Sequence, residues 1–265
     1  MSVCLVYSVL DTASVNIAEA LKEAVDFRDS DSLGGHAHFI SDIAEMVELK
    51  SGMIDADFID GTIKTDLVAF LSKHSSAKGV ASFTVHAEGN WSEEAKFGGK
   101  PKSLSVSSPV NMMAVLKSVK KFNGTDVPVM YEATHHGPLL NTPSMFVEIG
   151  GDENAVRSKE YAGIIANSVV AMLSDGDRDY DKVAIGIGGT HYPEKFTSLA
   201  LEGRYAFAHM MPRYQIGNVD MLQKAMERSD MEVEVAVIEW KSIKAVDRDM
   251  VIKRLEELGL DYERV

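Results

Sequence analysis

The chain reads as an α/β protein with a largely parallel sheet. Apolar, β-branched runs recur at 3–9, 127–131, 183–187 and 233–238, too continuous for strands with one wet face. Between them lie helical patterns of ten or more residues, the alternation that builds parallel sheets. No internal repeat, low-complexity tract or linker interrupts the 265 residues, so one α/β domain spanning 1–265 is expected.

The first strand, 3–9, gives way to Asp11, Thr12 and Ser14 as N-cap candidates, then Ile17, Leu21 and Val25 at helical spacing. Residues 26–66 carry many acids, a His-Gly patch at 34–38 and short apolar pieces, and resist assignment. A strand is expected at 79–85, a Gly/Pro-rich loop at 97–102, and a helix from Pro109, well suited to a first turn, to about Lys121. Strands at 127–131 and 144–149 precede a long helix capped by Asp152 or Asn154 and running through Tyr161, Ile165, Val169 and Leu173. Strands at 183–187 and 205–210, a helix at 218–228, a strand at 233–238 and a helix at 247–258 complete the pattern.

A hydrophobic fraction of 45% and a charged fraction of 25% are those of a soluble globular protein. No apolar run is long enough to cross a bilayer, and the chain enters a strand at once, so neither a membrane segment nor a signal peptide is expected. Cys4 is alone, which excludes an internal disulfide and a cysteine-based zinc site and suits a reducing cytoplasm. A net charge of −13 opposes nucleic-acid binding over most of the surface. Yet 95–125 lacks Asp and Glu while holding Lys96, Lys100, Lys102, Lys117, Lys120 and Lys121, which form either a local basic surface or an ordinary solvated face.

Two loops concentrate the chemistry. Glu132-Ala133-Thr134-His135-His136-Gly137-Pro138 follows one strand, and Gly188-Gly189-Thr190-His191-Tyr192-Pro193 follows another. Ligands of open α/β sheets bind beyond strand carboxyl ends, so chemistry is expected at both loops. His86 and Glu88, two apart at a third strand end, share a face if the extension persists, and His209 closes a fourth candidate strand. Imidazoles and carboxylates from separate strands can hold a catalytic zinc or run metal-free general acid–base chemistry; they can also be structural. Gly188, Gly189 and Thr190 either cradle an anion with backbone N–H groups or simply make a tight turn. Arg213 can pair with a phosphate or carboxylate, and Trp91 either stacks on a base or packs in the core.

Residues 131–138, the Gly188-Gly189-Thr190-His191-Tyr192 loop and His209-Met210-Met211-Pro212 together resemble the archaeal- and plant-type D-aminoacyl-tRNA deacylases. The similarity runs nearly end to end, to Glu239-Trp240-Lys241. It implies a three-layer α/β/α arrangement around a mixed sheet, related in outline to phosphorylase- and peptidyl-tRNA-hydrolase-like folds. It implies a zinc-associated hydrolase cleaving D-amino acids from the 3′ end of tRNA. On that reading His86, His135, His136 and His191 supply metal ligands or the general base, His209 joins the ligand set, and Glu88 or Glu132 orients an imidazole or activates water. Lys96, Lys100 and Lys102 would clamp acceptor phosphates and Trp91 would stack on the terminal adenine. A metal-dependent amidohydrolase or peptidase acting on small molecules, and a non-catalytic RNA-binding protein, are the alternatives.

Overall fold

A computed structural model describes residues 1–74 and 79–265. Strand β1 (Val3–Ser8) and helix α1 (Thr12–Ala24) lead into β2 (Arg28–Leu33), β3 (His36–Ile40), β4 (Glu45–Leu49), the short α2 (Ile59–Thr62) and β5 (Leu67–His74). There follow β6 (Ser82–His86), the small hairpin of β7 (Gly89–Asn90) and β8 (Ser103–Leu104), α3 (Pro109–Phe122), β9 (Val129–Tyr131) and β10 (Ser144–Gly150). The rest comprises α4 (Glu153–Val156), α5 (Lys159–Asp175), β11 (Lys182–Ile187), α6 (Glu194–Leu201), β12 (Tyr205–Met211), α7 (Leu222–Glu227), β13 (Val235–Ile238), α8 (Ala245–Leu258) and β14 (Tyr262–Arg264).

The α/β class and its three α/β/α layers hold, with the strands divided between two sheets. The larger has the order β2-β3-β4-β1-β5-β10-β6-β9 and is mixed: β4, β1, β5 and β10 are parallel, β6 opposes β10, and β9 is parallel to β6. The smaller, β12-β11-β13-β14, is parallel throughout. Helices α1, α3 and α5 pack on one face of the larger sheet, and their core continues into Ala184, Phe207, Val235 and Val237 of the smaller one. The alternate residues Val183, Ile185, Ala236 and Ile238 face Leu222 of α7 and Val251 and Leu255 of α8. Each fully buried Leu, Ile, Val or Phe in these layers contributes about 1.5–3 kcal/mol.

Local signals account for most boundaries. The Asp11 carboxylate accepts from the Ser14 N–H at 3.2 Å and starts α1, and Pro109 occupies the first turn of α3. The long helix expected after Asp152 is two: Asp152 caps α4, and Ser158, accepting from Tyr161 N–H at 3.2 Å, starts α5. The helix expected at 218–228 is a 3₁₀ segment, Arg213–Met221, followed by the shorter α7. Residues 26–66 conceal the antiparallel meander β2-β3-β4; Arg-Asp-Ser-Asp-Ser-Leu of β2 is an exposed edge with no apolar alternation to read. The buried strand β5 is missing from the sequence-based expectation altogether.

One face of the larger sheet changes character along its length. On β5, Val68 and Phe70 give way to Ser72 and His74; on β10, Phe146 gives way to Glu148; on β6, Thr84 precedes His86. Phe70 stacks on Phe146 (centroids 4.6 Å apart), and Phe146 in turn stacks on His86 at 5.1 Å. Apolar packing therefore runs directly into a polar patch on the same face.

Candidate active site

That patch is completed by the two histidine loops. Residues 132–136 are hydrogen-bonded on both sides: the Ala133 N–H donates to His191 O at 2.8 Å and the Thr134 N–H to Met210 O at 3.0 Å, while the Gly89 N–H donates to His136 O at 2.7 Å. The loop is thus tied to both sheets. Gly98 and Gly99 pack against it, and the Gly137 N–H donates to Phe97 O at 2.8 Å. A Cβ on Gly98, which sits at φ 76°, would lie 1.9 Å from Ile54 O, so only glycine fits there.

Two buried carboxylates organise the imidazoles. Glu132 Oε2 accepts from His191 Nε2 at 2.8 Å and lies 3.6 Å from His135 Nε2; its Oε1 is 3.1 Å from His74 Nδ1. Glu148 Oε2 stands 3.6 Å from His74 Nδ1 and 3.5 Å from His86 Nε2. Tyr192 OH is 2.6 Å from His74 Nε2. His86, His135 and His136 each turn Nδ1 to a backbone carbonyl, of Ala87 at 3.2 Å, Ala133 at 2.9 Å and Gly137 at 2.6 Å. This turns their Nε2 atoms away from the backbone, the orientation a metal ligand needs, with His86 Nε2 facing Glu148 and His135 Nε2 facing Glu132.

Burial lowers His135 and, with the charge on His86, holds it well below the ordinary imidazole value; the same causes bring His136 to about 4. Both are neutral and carry free lone pairs. Burial opposes charge on His74 too, but Glu132 and Glu148 outweigh it and push it up to about 11. Burial would raise Glu148, yet His74 and His86 beside it bring it down to about 2, and His191 and His74 hold Glu132 ionised in the same way. Glu88, pushed up to about 7 chiefly by burial, accepts from Ser144 Oγ at 3.1 Å.

The family is decided by comparison with known proteins. A family model described as D-aminoacyl-tRNA deacylase matches residues 62–263. The D-aminoacyl-tRNA deacylase of Pyrococcus furiosus is 36% identical over 262 residues, 96% of each chain, and that of Methanocaldococcus jannaschii is 36% identical over the whole of both. The chain belongs to the D-aminoacyl-tRNA deacylase family. A crystal structure of a conserved protein of unknown function, 32% identical, superposes with a TM-score of 0.91 over 100% of this chain and 95% of that one.

Among the residues singled out from the sequence, His86, Glu132, His135, His136 and His191 meet in one cluster, with Glu88 buried beside it. Their setting differs from the expected one beyond strand carboxyl ends. Because β6 and β9 run against β5 and β10, the strand ends point in opposite directions and the cluster sits on the sheet face. His209 does not join it: Nε2 donates to Arg228 O at 2.9 Å, Nδ1 pairs with Thr134 Oγ1 at 3.2 Å, and no lone pair is left for a metal. Trp91 is only 3% exposed and its Nε1–H donates to Thr134 O at 2.9 Å, so it packs in the core rather than offering a ring to a base.

In the glycine loop the Gly188 and Gly189 N–H groups are spent within the protein, on Met211 O and Ser242 Oγ. Thr190 Oγ1 donates to Tyr192 O at 2.8 Å, and Arg213 is exposed beside Glu239. Lys96 and Lys102 pair with carboxylates, Glu94 at 3.2 Å and Asp220 at 3.1 Å, while Lys117, Lys120 and Lys121 line a separate hollow with Asp177. The basic surface is therefore smaller than the acid-free stretch suggests. Two central residues, His74 and Glu148, escaped the sequence reading. A charged residue inside the fully buried strand β10 was the available signal for Glu148. For His74 it was the apolar run that ends on it.

Proposed function

We infer that the protein hydrolyses the ester joining a D-amino acid to the 3′ end of tRNA, releasing free D-amino acid and tRNA. Family membership supports the reaction. The observation that carries it into this site is the grouping of His86, His135 and His136, each with a ring nitrogen within 4.8 Å of the others, beside the Glu132–His191 pair at a cavity of about 550 Å³.

The donors suit zinc. His86, His135 and His136 offer atoms within 4.8 Å of one another, Glu132 and Glu148 adjoin them, and His86 Nε2 and Glu132 Oε1 are buried without a hydrogen-bond partner among the described residues. Those three histidines would hold the ion, fixed in orientation by their Nδ1–H bonds. Zinc supplies polarisation of the ester carbonyl and a lowered pKa for water.

The chain's own residues handle the protons. Glu132 accepts the Nε2–H of His191, leaving Nδ1, 3.4 Å from Tyr214 OH, as the basic atom, and the carboxylate stabilises the imidazolium that forms when Nδ1 takes a proton from water. The water oxygen adds to the ester carbon, the bond to the tRNA oxygen breaks, and His191 returns the proton to that oxygen. His74, held by Glu132, Glu148 and Tyr192, positions Glu132.

The shared core of the two sheets supports action as one domain, 1–265, and a tRNA substrate suits a cytoplasmic enzyme. Among the described residues no helix is long and apolar enough to cross a membrane. The test is elemental analysis of the purified protein together with deacylation of D- and L-tyrosyl-tRNA. We expect bound zinc, hydrolysis of the D-ester, and at least about a 100-fold loss in His135→Ala with the fold intact. Equal rates on D- and L-esters, or normal turnover by His135→Ala, would overturn the reading; activity on small amides with indifference to tRNA would mark an amidohydrolase instead.

A further inference from the structure

Two hollows meet at the histidine cluster, and their linings differ. Both include His135, His136, His191 and Phe97. The larger, about 550 Å³, is walled by Leu10, Met53, Ile54 and Phe146, with Asp11, Lys73 and Glu148 at its polar side. The smaller, about 280 Å³, is lined by Asn90, Trp91, Glu94, Lys96, Tyr214 and Gln215. Leu10 is 68% exposed, Phe97 67% and Tyr214 60%, an unusual degree of exposure for large apolar and aromatic side chains around one opening.

We propose that the two hollows divide the substrate. The tRNA 3′-terminal nucleoside occupies the Tyr214 hollow, and the D-aminoacyl side chain occupies the Leu10–Ile54 hollow, with the ester between them at the histidines. This rests on the deacylase reading and deepens it.

Two observations favour this assignment over the reverse. Tyr214, 60% exposed, offers an aromatic face within the smaller hollow, where Trp91 is only 3% exposed; a terminal base needs such a face. The larger hollow has the apolar wall of Leu10, Met53, Ile54 and Phe146, which suits an amino-acid side chain. Phe97, common to both, stands at the partition.

Two exposed positions test the division without threatening the fold. The substrates are D-tyrosyl-tRNA, D-alanyl-tRNA and D-tyrosine methyl ester. Tyr214→Phe keeps the ring and removes the hydroxyl 3.4 Å from His191 Nδ1, so Tyr214→Ala should raise KM for both tRNA esters about tenfold above Tyr214→Phe, the loss of one base–aromatic stack, while the two variants handle the methyl ester alike. Leu10→Ala should lower kcat/KM severalfold for D-tyrosyl-tRNA and leave D-alanyl-tRNA unchanged. If Tyr214→Ala and Tyr214→Phe show the same KM for the tRNA esters, or Leu10→Ala affects the two tRNA esters equally, the division is overturned. A wild-type protein inert toward every D-aminoacyl-tRNA would overturn the deacylase reading, and this division with it.

Discussion

Acid should destabilise this protein through a histidine that takes no part in its chemistry. His209 is fully buried, and burial, opposed by its bonds to backbone carbonyls, holds it at about 4. In the unfolded chain the same imidazole titrates near its ordinary value of about 6.5. Between those two values the unfolded state binds a proton that the folded state refuses, so stability is complete above about pH 6.5 and drains away as the pH falls toward 4. The gap amounts to about 3 kcal/mol, with about 2 kcal/mol already lost at pH 5, a large share of the 5–15 kcal/mol typical of a domain. Urea unfolding of the wild type and of His209→Gln at several pH values between 7 and 4 measures it. The variant should start weaker at pH 7 because two buried bonds are disturbed, then lose less on acidification than the wild type by about the same 3 kcal/mol. Parallel pH profiles for the two proteins would refute the assignment.

Gly98→Ala should cost about 2 kcal/mol or more, because its Cβ would meet Ile54 O at φ 76°, and should also lower deacylation by freeing Gly137 from Phe97; thermal unfolding and turnover both unchanged would contradict this. Trp91→Phe should lose about 1 kcal/mol of stability with its bond to Thr134 O while leaving KM for tRNA untouched, and a large rise in KM would return Trp91 to the RNA surface. Lys100→Ala should raise KM for D-aminoacyl-tRNA and flatten its salt dependence more than Lys96→Ala, whose charge Glu94 already offsets; the opposite order in a salt titration would disprove it.

How far the chain could be read in advance depended on how each part is stabilised. Most strands buried on both faces and helices with side-chain caps declare themselves, as β11 and α1 do, although the buried strand β5 did not. The meander β2-β3-β4 does not, because Arg28–Leu33 is an exposed edge whose stabilisation is backbone pairing, which any residue can supply. The histidine loops were legible as motifs, but the fate of each imidazole turned on its partners. His209 sits in a sequence much like the others and is disarmed by two hydrogen bonds from remote segments. His74 and Glu148 lay hidden because their function depends on the reversal of β6 against β10, a feature of topology that no local pattern announces.

The loop at 132–136 has a further consequence. Its amides at Ala133 and Thr134 are bonded to residues of the smaller sheet's side, and its Glu132 carboxylate grips His191 from that same side. Catalytic competence is therefore a readout of whether the two sheets remain seated on each other. Any partial opening that slides the smaller sheet away would silence the enzyme while most of its secondary structure persisted, so loss of turnover on heating should run ahead of loss of helical circular dichroism, and the Ala133 and Thr134 amides should exchange with solvent at the earlier of the two transitions.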